Sequence, residues 1–262
     1  MYRKFMVIAV VAMILMLVVT PAGAITFGEP DGNRHPNVGL IVADMRDDGT
    51  LTLWCSGTLI SPTIFLTAGH CTNFFSRLGI TQIWVTFDSE FDPQTSELVP
   101  IAGFATHPDY DPHTLFNDVG VAILAEPVQD VTPGVLATEN LLDQMKESGT
   151  LRDQTFVNVG YGATAAFKGN PPALTRDGVR RFSTSPYGGL TRNWLHLLGN
   201  HDATGEGSIC LGDSGGPHFL GDSNLIVSVT SWGDEICRSL DMTQRVDTAS
   251  VRAFLDDYVT LP

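Results

Sequence analysis

"CLGDSGGPH", residues 210–218, sets Ser214 among Gly212, Gly215 and Gly216, with Asp213 immediately before it. Ser214 is either a nucleophile or a serine in a glycine-rich turn. A third reading is the strand-to-helix elbow of the G-x-S-x-G pattern, which Gly212 to Gly216 also satisfies. A serine hydroxyl is a poor nucleophile until a neighbouring base takes its proton, and that base needs an orienting acid. The histidines therefore decide between folds, and there are seven: His35, His70, His107, His113, His196, His201 and His218. An elbow enzyme runs Ser, then acid, then His along the chain. After Ser214 only His218 remains, with no acid between them, and the residues that follow lack a helical pattern. The elbow cannot be built.

The opposite order is available. "LTAGHC" ends an apolar, β-branched run on His70, beside Cys71, and "FNDVGVAIL" places Asp118 at the head of an apolar strand. Alone, His70 reads as structural, Asp118 as a turn residue and Ser214 as a turn serine. Together, in His, Asp, Ser order, they read as a nucleophile, its base and the base's orienting acid. Asp109 and Asp111 are rival acids, but "HPDYDPH" is a proline-bearing loop with no strand to bury them. His107 and His113 in that loop read as solvated histidines, not as a metal pair. Asp88, Glu90 and Asp92 read as acids on an exposed strand edge, not as a calcium site. No metal and no cofactor is expected.

The N-terminus is a separate unit. Met1-Tyr2-Arg3-Lys4, the apolar run Phe5 to Val19 and "TPAGA" at 20–24 are the charged, apolar and cleavage regions of a secretory signal peptide. Removing residues 1–24 takes two basic residues and no acidic one, moving the formal charge from −14 to −16. Such acidity argues against nucleic acid or an anionic membrane as partner. The expectation is a secreted, extracellular monomer with no stable membrane association once the signal is cut.

Residues 25–262 are enough to bury a large core. Runs at Val38–Val42, Leu51–Ile60, Ile83–Phe87, Val121–Leu124, Thr155–Val159 and Leu225–Trp232 alternate with Gly, Pro, Asn and Asp clusters, an all-β pattern. Residues 128–155 read as a connection between two β modules, and 162–208 as long surface loops. Only the end reads helical, with Asp247-Thr248 capping Ala249 to Val259. Four cysteines in an exported chain suggest two disulfides, in any of three connectivities.

With these residues in view, the chain resembles the trypsin and chymotrypsin family of secreted serine endopeptidases. The resemblance rests on "ITFG" at Ile25, "CSGTLISPTIFLTAGHC" from Cys55, "NDVGVAIL" from Asn117, "GYG" at 160–162, "CLGDSGGP" from Cys210 and "SWG" from Ser231. The 48 residues from His70 to Asp118 and the 96 from Asp118 to Ser214 are similar to the family's separations. It implies two antiparallel six-stranded β-barrels, at about 25–135 and 136–246, and a C-terminal helix at about 247–260. The implied activity is hydrolysis of peptide bonds in protein or peptide substrates through an acyl-enzyme. The alternative is a catalytically silent homologue acting as a binding or regulatory module.

By the same resemblance, Gly212 and Ser214 supply the oxyanion-hole N–H groups, and the disulfides are Cys55–Cys71 and Cys210–Cys237. Asp213 pairs with the ammonium of a mature N-terminus at Ile25. With no Arg or Lys in residues 20–24, signal cleavage itself is expected to create that terminus. Ser231, Trp232 and Gly233 line the substrate pocket, and Ser208 and Asp241 fall at its floor. A shortened segment after Cys237 leaves the register of Asp241 open. An inward Asp241 implies a basic substrate residue, an outward one a large apolar residue above Ser208.

Overall fold

The computed structural model describes residues 25–169 and 173–262, and the expected signal peptide lies outside them. In the first half, β-branched and aromatic runs form β1 (Glu29–Pro30), β2 (Val38–Asp44), β3 (Leu51–Ser61), β4 (Ile64–Thr67), β5 (Ile83–Thr86), β6 (Val99–Thr106) and β7 (Gly120–Leu124). Strands β2 to β7 close into a six-stranded antiparallel barrel in the order β2-β3-β4-β7-β6-β5. The second half holds β8 (Val135–Leu136), β9 (Thr155–Gly160), β10 (Ala165–Phe167), β11 (Ala173–Thr175), β12 (Arg181–Leu190), β13 (Trp194–Leu198), β14 (Pro217–Leu220), β15 (Leu225–Trp232) and β16 (Leu240–Arg245). Here β9, β12, β13, β16, β15 and β14 form the second closed ring, shut by the β9–β12 ladder. The two six-stranded barrels agree with the expected fold class.

The alternation of β2 explains how the barrels join. Its Ile41 and Ala43 enter the first barrel's core with Phe65, Phe75 and Val85. Its Val38, Leu40 and Val42 face the other way, into a shared core with Val157, Val159, Phe219 and Val229 of the second barrel. Successive strand side chains point to opposite faces, so a strand buried on both faces must be apolar at nearly every position. The fully buried Arg180 adds a polar clamp: its guanidinium reaches Asp31 Oδ2 at 2.8 Å, Val38 O at 3.0 Å and Phe87 O at 2.8 Å.

Among the described residues four α-helices lie on these barrels: α1 (Gly69–Leu78), α2 (Leu141–Glu147), α3 (His201–Thr204) and α4 (Ala249–Asp256). The Thr248 side chain caps α4 by accepting from Val251 N, and Val251, Phe254 and Leu255 are its buried face. Three expectations need correction. Residues 162–208 are not mainly loop, since β12 and β13 supply two walls of the second barrel. The end is not the only helix, because α1 begins at Gly69 and α2 sits inside the expected connection. His107 is buried at 3 % exposure, with Nε2 toward Ser250 O at 3.2 Å and its ring 5.3 Å from Phe254. It pins α4 to the first barrel, whereas His113 is exposed as expected.

Candidate active site

His70 and Asp118 arrive from different elements of the first barrel. The apolar strand β4 ends at Thr67, and α1 starts two residues on, so His70 occupies the first helical turn where its N–H has no intrahelical acceptor. Asp118, fully buried just before β7, fills that need: Oδ1 accepts from His70 N at 2.7 Å. Its Oδ2 lies 2.9 Å from His70 Nδ1 and accepts from Ser231 Oγ at 2.5 Å. Buried carboxylates require such donors, and this one has three. With Nδ1–H directed at the carboxylate, Nε2 carries the ring's lone pair.

The loop holding Ser214 is stapled between barrels by its backbone. Ser56 N of β3 donates to Ser214 O at 2.9 Å, and Ser56 Oγ donates to Gly212 O at 2.9 Å. From the other side, Gly215 N donates to Thr230 O of β15 at 2.8 Å. Gly215, at φ +80°, leaves no room for a side chain: a Cβ there would meet Ala68 N at 2.5 Å. That close approach sets the residue after Ser214 against Thr67 and Ala68, which lead into Gly69 and His70. Gly212 is also left-handed, at φ +106°. The Cys55–Cys71 disulfide ties α1 to β3, and Cys210–Cys237 ties the serine loop to the segment after β15. Cys55, His70 and Cys71 cluster closely enough to suggest a metal, but both sulfurs are committed to the disulfide.

Ser214 also borders a cavity of about 370 Å³ walled by Ile209, Cys210, Trp232 and Gly233. Ser231 belongs to the same wall while its hydroxyl serves Asp118. Ser208 and Asp241, both fully buried, lie beneath the cavity instead of on its wall. The Asp241 carboxylate is held by its buried neighbours: Oδ1 accepts from Ser208 Oγ at 2.7 Å and Oδ2 from Ile209 N at 3.2 Å. Burial pushes its pKa up to about 7, with Asp213 and Asp234 adding like charge.

Ile25 is buried, and Thr26 bridges to Ser208, whose N–H donates to Thr26 O at 3.1 Å. The Thr26 hydroxyl donates to Cys237 O at 2.8 Å, so the segment expected to begin the mature chain abuts the pocket's underside. Asp213 is fully buried and accepts from Gly162 N and Cys210 N, both at 2.8 Å. Burial raises its pKa to about 6, and the Arg176 cation opposes that rise. Sequence reasoning missed Ser56, Gln244 (whose Oε1 accepts from Asp118 N at 3.3 Å) and Arg176. None sits in a motif that advertises its partner.

Two six-stranded antiparallel barrels, one carrying a carboxylate-held histidine and the two together holding a glycine-framed serine loop, have the architecture of the serine proteases. The family model described as Trypsin matches residues 31–251, and the chain belongs to that family. It is 30% identical over 222 residues to "Serine protease 1" of Drosophila melanogaster, covering 80% of this chain and 76% of the relative. A trypsin of Sarcophaga bullata is 26% identical over 214 residues, covering 80% of each. Among solved structures, human heparin binding protein superposes with TM-score 0.64 at 19% identity, covering 90% of this chain and 98% of that one. HL collagenase gives 0.65 at 18%, covering 88% and 96%, a likeness of fold.

Proposed function

We propose that this chain is a secreted serine endopeptidase that hydrolyses peptide bonds through an acyl-enzyme on Ser214. The observation that carries the reading is the double grip of Asp118 on His70, through backbone N and Nδ1, with Nε2 left as the basic nitrogen. In the first half-reaction, Ser214 Oγ attacks the scissile carbonyl carbon while His70 Nε2 takes the hydroxyl proton. Asp118 keeps the tautomer and stabilises the imidazolium. The N–H groups of Gly212 and Ser214 stabilise the oxyanion, each donor worth roughly 3 to 4 kcal/mol. His70 then protonates the leaving amine, and water attacks the ester by the same steps in reverse roles.

The substrate's acyl-side residue enters the cavity beside Trp232 and Gly233, above Ser208 and Asp241. The Asp241 carboxylate beneath the cavity favours a basic residue there when ionised, and the largely apolar wall favours a large apolar one when it is protonated. Cleavage after Ala24 removes residues 1–24 and frees the Ile25 ammonium to pair with Asp213. The protein acts as an extracellular monomer on protein or peptide substrates.

A serine-reactive phosphonate tests the core of this reading. One equivalent should attach to wild-type protein and none to Ser214→Ala, with loss of peptide hydrolysis. Equal labelling of both, or of neither, would make the chain a silent homologue. N-terminal sequencing of the secreted active protein should begin at Ile25, and any other start would overturn the activation scheme.

A further inference from the structure

Arg176 is exposed, yet its guanidinium is held in place beside the oxyanion loop. Nη1 donates to Leu53 O at 3.1 Å. A Cβ built on Gly212 would meet Arg176 Nη2 at 3.4 Å and Cζ at 3.5 Å, so the cation lies against that glycine. The neighbouring acid does not neutralise it, because Asp177 is taken by a two-toothed pair with Arg181 at 2.8 and 2.9 Å. Asp213 attracts Arg176 at longer range but accepts no hydrogen bond from it, taking the N–H groups of Gly162 and Cys210 instead. Among the described residues, Leu53 O is the hydrogen-bond acceptor that Arg176 uses. The planar fork of the guanidinium is suited to a carboxylate, and most of its donors remain open to one.

The surroundings supply a place for a ligand. Arg176 borders a groove of about 460 Å³ formed with Leu51, Leu53, Phe91, Pro93 and Asp177, whose charge is paired with Arg181. This groove and the cavity beside Trp232 have no lining residue in common, and Gly212 lies between Arg176 and Ser214. A substrate that places its acyl-side residue in the cavity sends its leaving half past His70, which protonates the departing amine. The Cys55–Cys71 disulfide joins the helix of His70 to β3, and Leu53 lies on that strand two residues before Cys55. The leaving half therefore runs toward Leu53 and Arg176. With a formal charge of −16 once residues 1–24 are removed, the protein as a whole repels an anionic ligand, so a fixed cation on that path selects for one locally.

We propose that Arg176 and the Leu53 groove form a subsite for a carboxylate on the leaving half of the substrate, an inference that rests on the peptidase reading above. The carboxylate belongs either to an acidic side chain or to the free C-terminus of a short leaving peptide. Arg176 is then a specificity residue for the leaving group, independent of the pocket above Asp241.

The test uses peptides with one acyl side and Glu, Gln or Lys at the first, second or third leaving position. At one of these positions wild type should prefer Glu to Lys in kcat/KM by about five-fold or more, as befits a partly exposed ion pair. Arg176→Gln should erase that ratio and Arg176→Glu should invert it, while Arg176→Lys keeps part of it. Ratios within one preparation cancel differences in active fraction. Peptides ending at that position as free acid or as amide separate the two sources: a gain confined to the free acid identifies the chain terminus. Fluorescence anisotropy of the same peptides on Ser214→Ala reads the Glu to Lys ratio without chemistry. If wild type hydrolyses nothing, the peptidase reading falls and the binding ratio still decides the subsite. Equal binding of the Glu and Lys peptides at every position would overturn it.

Discussion

His70 Nδ1 and Ser231 Oγ converge on the same oxygen of Asp118, at 2.9 and 2.5 Å. That oxygen orients the imidazole and is itself oriented by a hydroxyl from the second barrel. The geometry at His70 therefore depends on how the two barrels are docked.

Removing the charge should cost far more than removing the hydroxyl. Asp118→Asn leaves the packing in place but presents the wrong group to Nδ1, and kcat should fall by about 10³ to 10⁴. Ser231→Ala removes one of three donors and leaves the two from His70. Its kcat should fall by about ten- to a hundred-fold, the ~1.5 to 3 kcal/mol of one hydrogen bond to a charged group. Steady-state kinetics of both variants on one peptide check the order, and a Ser231→Ala loss equal to that of Asp118→Asn would refute it.

Substrate choice should change with pH through Asp241. Burial raises its carboxyl to about 7, so the group is neutral below that pH and anionic above it. The anion attracts a cationic substrate residue, so the ratio of arginyl to phenylalanyl peptide hydrolysis should climb as pH passes upward through about 7. Comparing two substrates at each pH cancels the titration of groups that both require. Asp241→Asn should flatten the ratio and lower it at high pH, and a ratio in wild type that stays constant from pH 6 to 8.5 excludes the carboxyl as a determinant.

The second barrel's hidden strands show where the sequence stops being legible. In β12, Pro186, Gly188, Gly189 and a run of Ser and Thr interrupt the apolar run that marks β2 and β15. The reason is a polar barrel interior: Asn158 Nδ2 donates to Ser183 Oγ at 3.2 Å and Ser185 Oγ at 2.7 Å. His107 was misjudged for a related reason, since its partner Ser250 lies 143 residues away and leaves no local trace. The residues around Ser214, His70 and Asp118 were legible because their constraints are local. At Gly212 and Gly215 the chain bends left-handed where a side chain would collide, and apolar strands lead to buried polar ends. Arg176 was invisible because a lone arginine in a polar loop reads as surface.

The same polar interior should make stability fall in acid through His218. His218 is fully buried, with Nδ1 2.6 Å from Asn158 Oδ1 and Nε2 2.9 Å from Thr230 Oγ1, and burial lowers its pKa to about 3. In the unfolded chain this imidazole binds a proton near pH 6.5, whereas in the folded chain it stays neutral. Its contribution to stability is thus intact above pH 6.5 and declines as pH falls toward 3, by up to about 1.4 kcal/mol per pH unit. His218→Gln should be less stable than wild type at pH 8 but lose less between pH 6.5 and 4. Urea unfolding at several pH values checks the slope, and parallel curves would remove His218 as the cause.

Gly212 carries the sharpest steric prediction. Its φ of +106° is open to glycine and strained for alanine, and an added Cβ would press on Gly162 Cα at 3.0 Å and on the Arg176 guanidinium at 3.4 Å. Relief of that contact rotates the Gly212 N–H away from the point where the oxyanion forms. Gly212→Ala should therefore lose kcat by roughly 10² to 10³, the worth of one oxyanion donor, with a smaller change in KM. Gly149 makes a fair comparison, since it shares a positive φ of +78° but would place a Cβ with nothing within 4 Å. Gly149→Ala should cost about 1 kcal/mol of stability from backbone strain alone and leave turnover per folded molecule unchanged. Active-site titration with the phosphonate, run beside kcat, separates folded fraction from turnover. Equal turnover per titrated site in Gly212→Ala and wild type would show that the Gly212 N–H does not serve the oxyanion.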